Sequence, residues 1–181
     1  MRAYQLPKGG AGIDALTKVE RPKPAPGHRQ VLVKVAACSL NFRDLGIVRG
    51  TYRMPSKENV VPLSDGAGEV IEIGAAVTRV KVGDKVAGNF FARWPGGEPP
   101  LDVQSTALGG ATDGMLADYA VLEEEASHAG MLVVDITPVS DLVAGDPMQV
   151  ASDGLHPSGK QYAGWVDLIA PQVREMLKRG R

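Results

Sequence analysis

Apolar and polar residues alternate along several short stretches of the first two-thirds of the chain. Gln30–Ala37 places Val31, Val33 and Val35 on one face, the period-two pattern of a half-buried strand. Gly68–Ile73 repeats the alternation, Val80–Val86 carries a Gly83-Asp84 turn, and Met115–Leu122 reads as a further strand. Between the first two, Asn41–Arg49 sets Phe42, Leu45 and Val48 at helical spacing, which predicts one short helix. Short strands parted by Gly, Pro and Asp turns predict an irregular β-barrel rather than a parallel sheet.

The pattern changes after residue 125. Met131–Ile136 is an unbroken apolar run of strand length, and a loop follows to Pro157. Tyr162, Trp165, Ile169, Val173 and Met176 then recur every three or four residues, the apolar stripe of a helix that Ser158 can cap and Pro171 should kink. The expected organisation is a β-rich domain over 1–125 and a short strand–loop–helix tail over 126–181, mainly β with some α.

Composition narrows the function classes. The 22 Gly and 13 Pro fit many turns and short strands. Lys plus Arg number 20 and Asp plus Glu 21, so the net charge of −1 offers no field for nucleic acid or acidic membrane. No run is apolar enough to span a bilayer and no signal core opens the chain, so a cytoplasmic protein is expected. The single cysteine, Cys38, has no disulfide partner; at the apolar side of a strand end it reads as a small core residue.

Gly10-Ala-Gly12-Ile-Asp-Ala15 matches the letters of a dinucleotide fingerprint, but only a few residues precede it, no complete βαβ unit surrounds it and no acidic residue ends a second strand about 20 positions on, so it reads as a turn. More telling is an ordered set: Cys38-Ser-Leu-Asn41-Phe-Arg43-Asp44 through Gly50-Thr-Tyr52, then Pro62-Leu-Ser-Asp65-Gly-Ala-Gly68-Glu-Val70, then Val80-Lys-Val-Gly83-Asp84-Lys-Val86. Phe90 through Trp94, Leu108-Gly-Gly and Gly114-Met-Leu-Ala-Asp-Tyr119 continue it. Together these resemble the GroES-like catalytic domain of medium-chain dehydrogenases/reductases, in the zinc-independent, quinone-oxidoreductase-like branch. In the zinc-dependent branch a Cys stands at the position of Asn41 and Gly-His-Glu at Leu63-Ser64-Asp65. An amide and a hydroxyl in place of thiolate and imidazole remove the soft ligands, so no metal is expected.

The resemblance implies that Asn41 and Arg43 lie on the nicotinamide side of the site. Arg43 and Asp44 can pair there to brace the helix. NADPH enters only through this resemblance, because the family holds it in a Rossmann domain, which should begin near Val121. The residues after Glu125 turn into something else, so the nicotinamide side is expected to be vestigial and no cofactor to be held.

Ser152-Asp153-Gly-Leu-His156-Pro-Ser-Gly-Lys-Gln-Tyr162 resembles the last block of SGNH (GDSL-type) esterases, whose acid and base are Asp-x-x-His. The strand Val133-Val-Asp-Ile-Thr137 and the Trp165 helix extend this likeness over roughly 127–179. It implies that Asp153 fixes the tautomer of His156, which takes a proton from a serine. The esterase nucleophile and oxyanion blocks are missing, and Ser39, Ser64 and Ser105 all lie in the first part. The sequence therefore reads as a dehydrogenase head fused to an esterase tail, without efficient oxidoreductase turnover. The alternatives are a weak ester hydrolase using Asp153 and His156, or a non-catalytic binding module. The expected partner is a small carbonyl or ester compound. A tail of this size is marginal alone, so it docks on the barrel, dimerises as a homodimer or stays loosely ordered.

Overall fold

A computed structural model describes residues 1–53, 55–94, 96–129, 146, 148, 151 and 158–179. They form two compact units, Met1–Met131 and Leu132–Arg181. In the first, seven strands appear in the order β1 (Arg2–Gln5), β2 (Thr17–Glu20), β3 (Gln30–Ser39), β4 (Asp65–Ile73), β5 (Lys85–Gly88), β6 (Tyr119–Glu123) and β7 (Ser127–Ala129). One helix, α1 (Phe42–Val48), joins β3 to β4.

All described pairings between these strands are antiparallel. β1 pairs with β2, and the larger sheet runs β6-β3-β4-β5-β7. The expected barrel is thus a mostly β fold whose ladder does not close among the described residues. Isolated bridges lie outside the ladders, among them Ala3 of β1 to Ala117 in the segment before β6. Met115 and Leu116 donate their backbone N–H groups to Leu63 and Pro62, so β6 starts later than Met115.

β3 is covered on both faces near its start: Val31, Leu32 and Val33 are all fully buried. Val31 and Val33 join Val70, Val86, Met115 and Leu122 in the main core. A second cluster sets Ile47 and Val48 of α1 against Leu6 and Val60. That packing selects the Asp44/Ile47/Val48 side of α1, so Phe42 and Leu45 are exposed rather than part of the buried stripe. Register shifts in the β3–β4 ladder, at Leu32/Val33 and Val35/Ala37, mark bulges that bend the sheet beside α1.

The Gly10–Ala15 segment is a turn, as the sequence predicts. Gly10 and Gly12 have φ of 70° and 91°, and a single 3-10 turn spans Ile13–Ala15. In the second unit, α2 (Gly159–Arg179) runs through Pro171. Ser158 precedes it and its Oγ accepts from the Gln161 backbone N–H at 3.3 Å, a capping contact. The helix presents a less buried stripe than its spacing predicts. Tyr162 and Val173 are exposed, while Trp165 and Ile169 are half-buried. The strand expected over Met131–Ile136 lies outside the described residues.

Candidate functional site

The site is assembled at the start of α1. Asn41 is its N-cap, in an extended conformation with φ −116° and ψ 153°. Its backbone N–H donates to Asp44 Oδ2 at 2.8 Å, while the Asp44 N–H donates to the Asn41 carbonyl at 3.0 Å. This reciprocal tie fixes the first turn and follows from an Asn-x-x-Asp sequence.

The second component arrives from the segment before β4. Leu63 has φ of 71°, a left-handed value that costs a bulky residue about 1–3 kcal/mol. Two backbone bonds hold its strand position: Gly114 donates to Val61 at 2.7 Å and Met115 to Leu63 at 2.9 Å. Only glycines fit against that backbone, since a Cβ on Gly114 would lie 2.0 Å from the Leu63 oxygen. Immediately after this turn, the fully buried Ser64 donates from Oγ to Asp65 Oδ2 at 2.9 Å. The Asn41 side-chain amide donates to the same oxygen. Asn41, Ser64 and Asp65 thus form one hydrogen-bonded set at the positions where the zinc-dependent branch carries its ligands. Amide, hydroxyl and one carboxylate, bonded to one another, do not fit a soft tetrahedral zinc site. Among the described residues, no group of three His, Cys, Asp or Glu is placed to hold a metal.

Arg43 and Asp44 do not pair. The guanidinium turns to the opposite side, donating from Nη1 to the Leu108 carbonyl at 3.0 Å. It sits over Phe90 and Tyr52, its central carbon 4.6 and 5.0 Å from the two ring centroids. These rings outcompete the neighbouring carboxylate for it. Asp44 is buried with Oδ1 unpartnered, and burial pushes its carboxyl pKa up against the pull of the Asn41 N–H and the Arg43 charge.

Cys38 is exposed rather than part of the core. Its thiol donates to the Met115 carbonyl at 3.2 Å, and desolvation raises its pKa, the wrong direction for a thiolate nucleophile. Ser105 Oγ donates to the Asp102 carbonyl at 2.7 Å. Asp153 and His156 lie outside the described residues.

Two polar supports carry no motif. Asp113 accepts from Arg21 Nη1 at 3.2 Å, Lys57 Nζ at 2.5 Å and the Val61 N–H at 2.9 Å, clamping the Gly110–Gly114 loop beside Leu63. Glu124, fully buried at the end of β6, accepts from Thr78 N, Thr78 Oγ and Arg79 N, each at 2.9 Å. The cluster of glycines at 109, 110 and 114 is the one sequence sign of the tight backbone that Asp113 secures.

This open β fold, with its capped helix and its hydrogen-bonded polar set, is that of the catalytic domain of medium-chain dehydrogenases/reductases. Residues 27–134 match the alcohol dehydrogenase GroES-like domain, more than half of the sequence, and the chain belongs to that family. It is 43% identical over 119 residues to a zinc-type alcohol dehydrogenase-like protein of Schizosaccharomyces pombe, covering 64% of this chain and 34% of that protein. It is 34% identical over 165 residues to a chloroplastic quinone-oxidoreductase homolog of Spinacia oleracea, covering 90% of this chain and 43% of that protein. The crystal structure of a putative alcohol dehydrogenase from Sinorhizobium meliloti 1021 superposes with a TM-score of 0.64 at 27% identity, covering 83% of this chain and 48% of that one. The chain therefore spans between a third and a half of the length of these proteins. The spinach alignment, at 165 residues, also reaches past residue 125, into the segment that carries the Asp153-Gly-Leu-His156 run. Among the described residues, no helix is long and apolar enough to cross a membrane.

Proposed function

We propose that this chain supplies the substrate side of a zinc-independent, nicotinamide-dependent reductase acting on a small carbonyl compound. The observation that carries the reading is the Asn41–Asp65–Ser64 set, in which an amide, a hydroxyl and a carboxylate bond one another rather than presenting thiolate and imidazole donors. Asn41 is exposed, and its amide keeps a second N–H for a carbonyl or carboxamide oxygen. Of the residues described, Asn41 and Arg43 would meet the nicotinamide end of NADPH, and hydride transfer is the chemistry that the cofactor supplies when bound. Among the described residues no complete strand–glycine turn–helix unit is present to cradle its phosphates, so the described residues are proposed to supply the substrate side alone.

Two measurements test this. Metal analysis of protein purified without chelator should find less than about one-tenth equivalent of zinc, and a stoichiometric amount would overturn the zinc-independent assignment. Fluorescence titration should show no saturable NADPH binding in the micromolar range by the 181-residue chain. A second reading, a weak ester hydrolase, rests on the Asp153-Gly-Leu-His156-Pro-Ser run alone. Hydrolysis of p-nitrophenyl acetate that disappears in His156→Ala would establish it, and the length of the spinach alignment counts against it.

A further inference from the structure

Alongside α1, but away from Asn41, Ser64 and Asp65, lies a cavity of about 330 Å³. Arg43 and Ile47 reach it from one face of the helix, Lys8 and Gly9 from the loop after β1, and Tyr52, Pro55 and Ser56 from the chain after α1. Its volume is that of a site for a small organic molecule. Two cations line it and, among the described residues, no carboxylate does. Glu58 is nearby in the chain and accepts from the Lys8 backbone N–H at 3.5 Å, but it is not part of the lining.

The state of Arg43 gives the pocket its chemistry. The guanidinium is clamped between Phe90 and Tyr52, and among the described residues its acceptor is the neutral Leu108 carbonyl. Its Nε is buried without a partner, and no ion pair neutralises it among the described residues. A half-buried guanidinium held in this way is oriented before any ligand arrives, and a carboxylate is the anion whose two oxygens match its planar fork. The remaining walls, Ile47, Pro55 and the Tyr52 ring, are apolar and suit a hydrocarbon body rather than a bare hydrated ion. Lys8 is exposed at the rim and adds a second positive charge there.

We propose that this cavity binds a small organic carboxylate with a short apolar body, anchored by Arg43 and assisted by Lys8. The inference shares Arg43 with the nicotinamide side of the proposed function but does not need NADPH to bind, because none of the Asn41–Asp65–Ser64 set lines the cavity. The test is calorimetric titration of the full chain at low ionic strength with hexanoate, hexanamide and inorganic phosphate. Hexanoate should bind saturably, and hexanamide, the same shape without the charge, at least roughly tenfold more weakly, as expected for losing a charge-assisted pair. Phosphate should bind more weakly than hexanoate. Arg43→Gln should abolish the difference between acid and amide. Because that variant also loses the bond to Leu108 and can unfold, Lys8→Glu at the exposed rim provides a second arm. It should weaken hexanoate several-fold while leaving the melting temperature and hexanamide binding unchanged. Equal binding of acid and amide, no saturable binding of hexanoate, tighter binding of phosphate, or hexanoate binding indifferent to Lys8→Glu would each overturn the assignment.

Discussion

Asp44 and Glu124 are both buried carboxylates, and their surroundings push them in opposite directions. Asp44 has one oxygen on the Asn41 N–H and one without a partner, so burial dominates and raises its pKa. A carboxyl raised on folding contributes stability that is complete below its unfolded value, about 3.9, and is lost as pH rises through the folded value. Asp44→Asn should therefore gain on the parent protein as pH increases from about 4 to 7, a trend that paired thermal melts will show. A gap independent of pH would mean that Asp44 is not held against its charge. Glu124 is depressed instead, first by the Thr78 backbone N–H and then by the Thr78 hydroxyl, the Arg79 N–H and Arg29, all overcoming its desolvation. Its stability is present above the unfolded value of about 4.3 and lost as pH falls through the folded one. Glu124→Gln should lower the melting temperature at neutral pH and converge with the parent in acid. The short helix over Asn41–Arg49 was legible in the sequence because its spacing is local, but Asp44, expected to pair with Arg43, instead caps the helix through the Asn41 N–H. The fate of Arg43 was not legible, since Leu108, Phe90 and Tyr52 reach it only through the tertiary fold.

At the level of elements, periodicity located α1 and the centres of β3 and β4 because each carries a local apolar pattern. It misjudged which side of α1 is buried, since Leu6 and Val60, which decide that, arrive from remote loops. It also extended β6 back to Met115, where the backbone bonds Leu63 and Pro62 instead of β3. The packing of β3 on β4 offers a sharp test. A Cβ on Gly68 would stand 2.1 Å from the Lys34 carbonyl oxygen and 2.7 Å from a Val33 methyl, next to the Val35/Ala37 irregularity. Backbone cannot yield there as a flexible side chain can. Gly68→Ala is expected to cost about 3 kcal/mol, the upper range for overpacking, measured by urea unfolding. A cost within half a kcal/mol or so, the usual range for surface changes, would show that the ladder can separate at this bulge.

Across the chain, the buried apolar clusters among the described residues belong to the first unit. Every residue of both core clusters lies between Leu6 and Leu122, and β7, which closes the pairing on β5, ends at Ala129. The sequence anticipated this asymmetry from texture, because alternating strands and glycine turns bury apolar area that a single helix cannot. α2 has 21 residues, a proline at 171 and exposed Tyr162, Val166 and Val173. An isolated helix of this length draws most of its stability from packing rather than propensity, and an internal proline removes one of its bonds. Met115 stands at the centre of the main cluster, fully buried, so Met115→Ala should destabilise the first unit by about 2–5 kcal/mol. The same distribution predicts the result of dividing the chain. Residues 1–131 expressed alone should fold cooperatively, with strand-type circular dichroism and a melting temperature within a few degrees of the full chain. Residues 132–181 alone should show little helix in water and gain it only in a helix-promoting alcohol. A well-folded isolated second unit, or loss of cooperative melting from residues 1–131, would mean that the interior of the first unit is not self-sufficient.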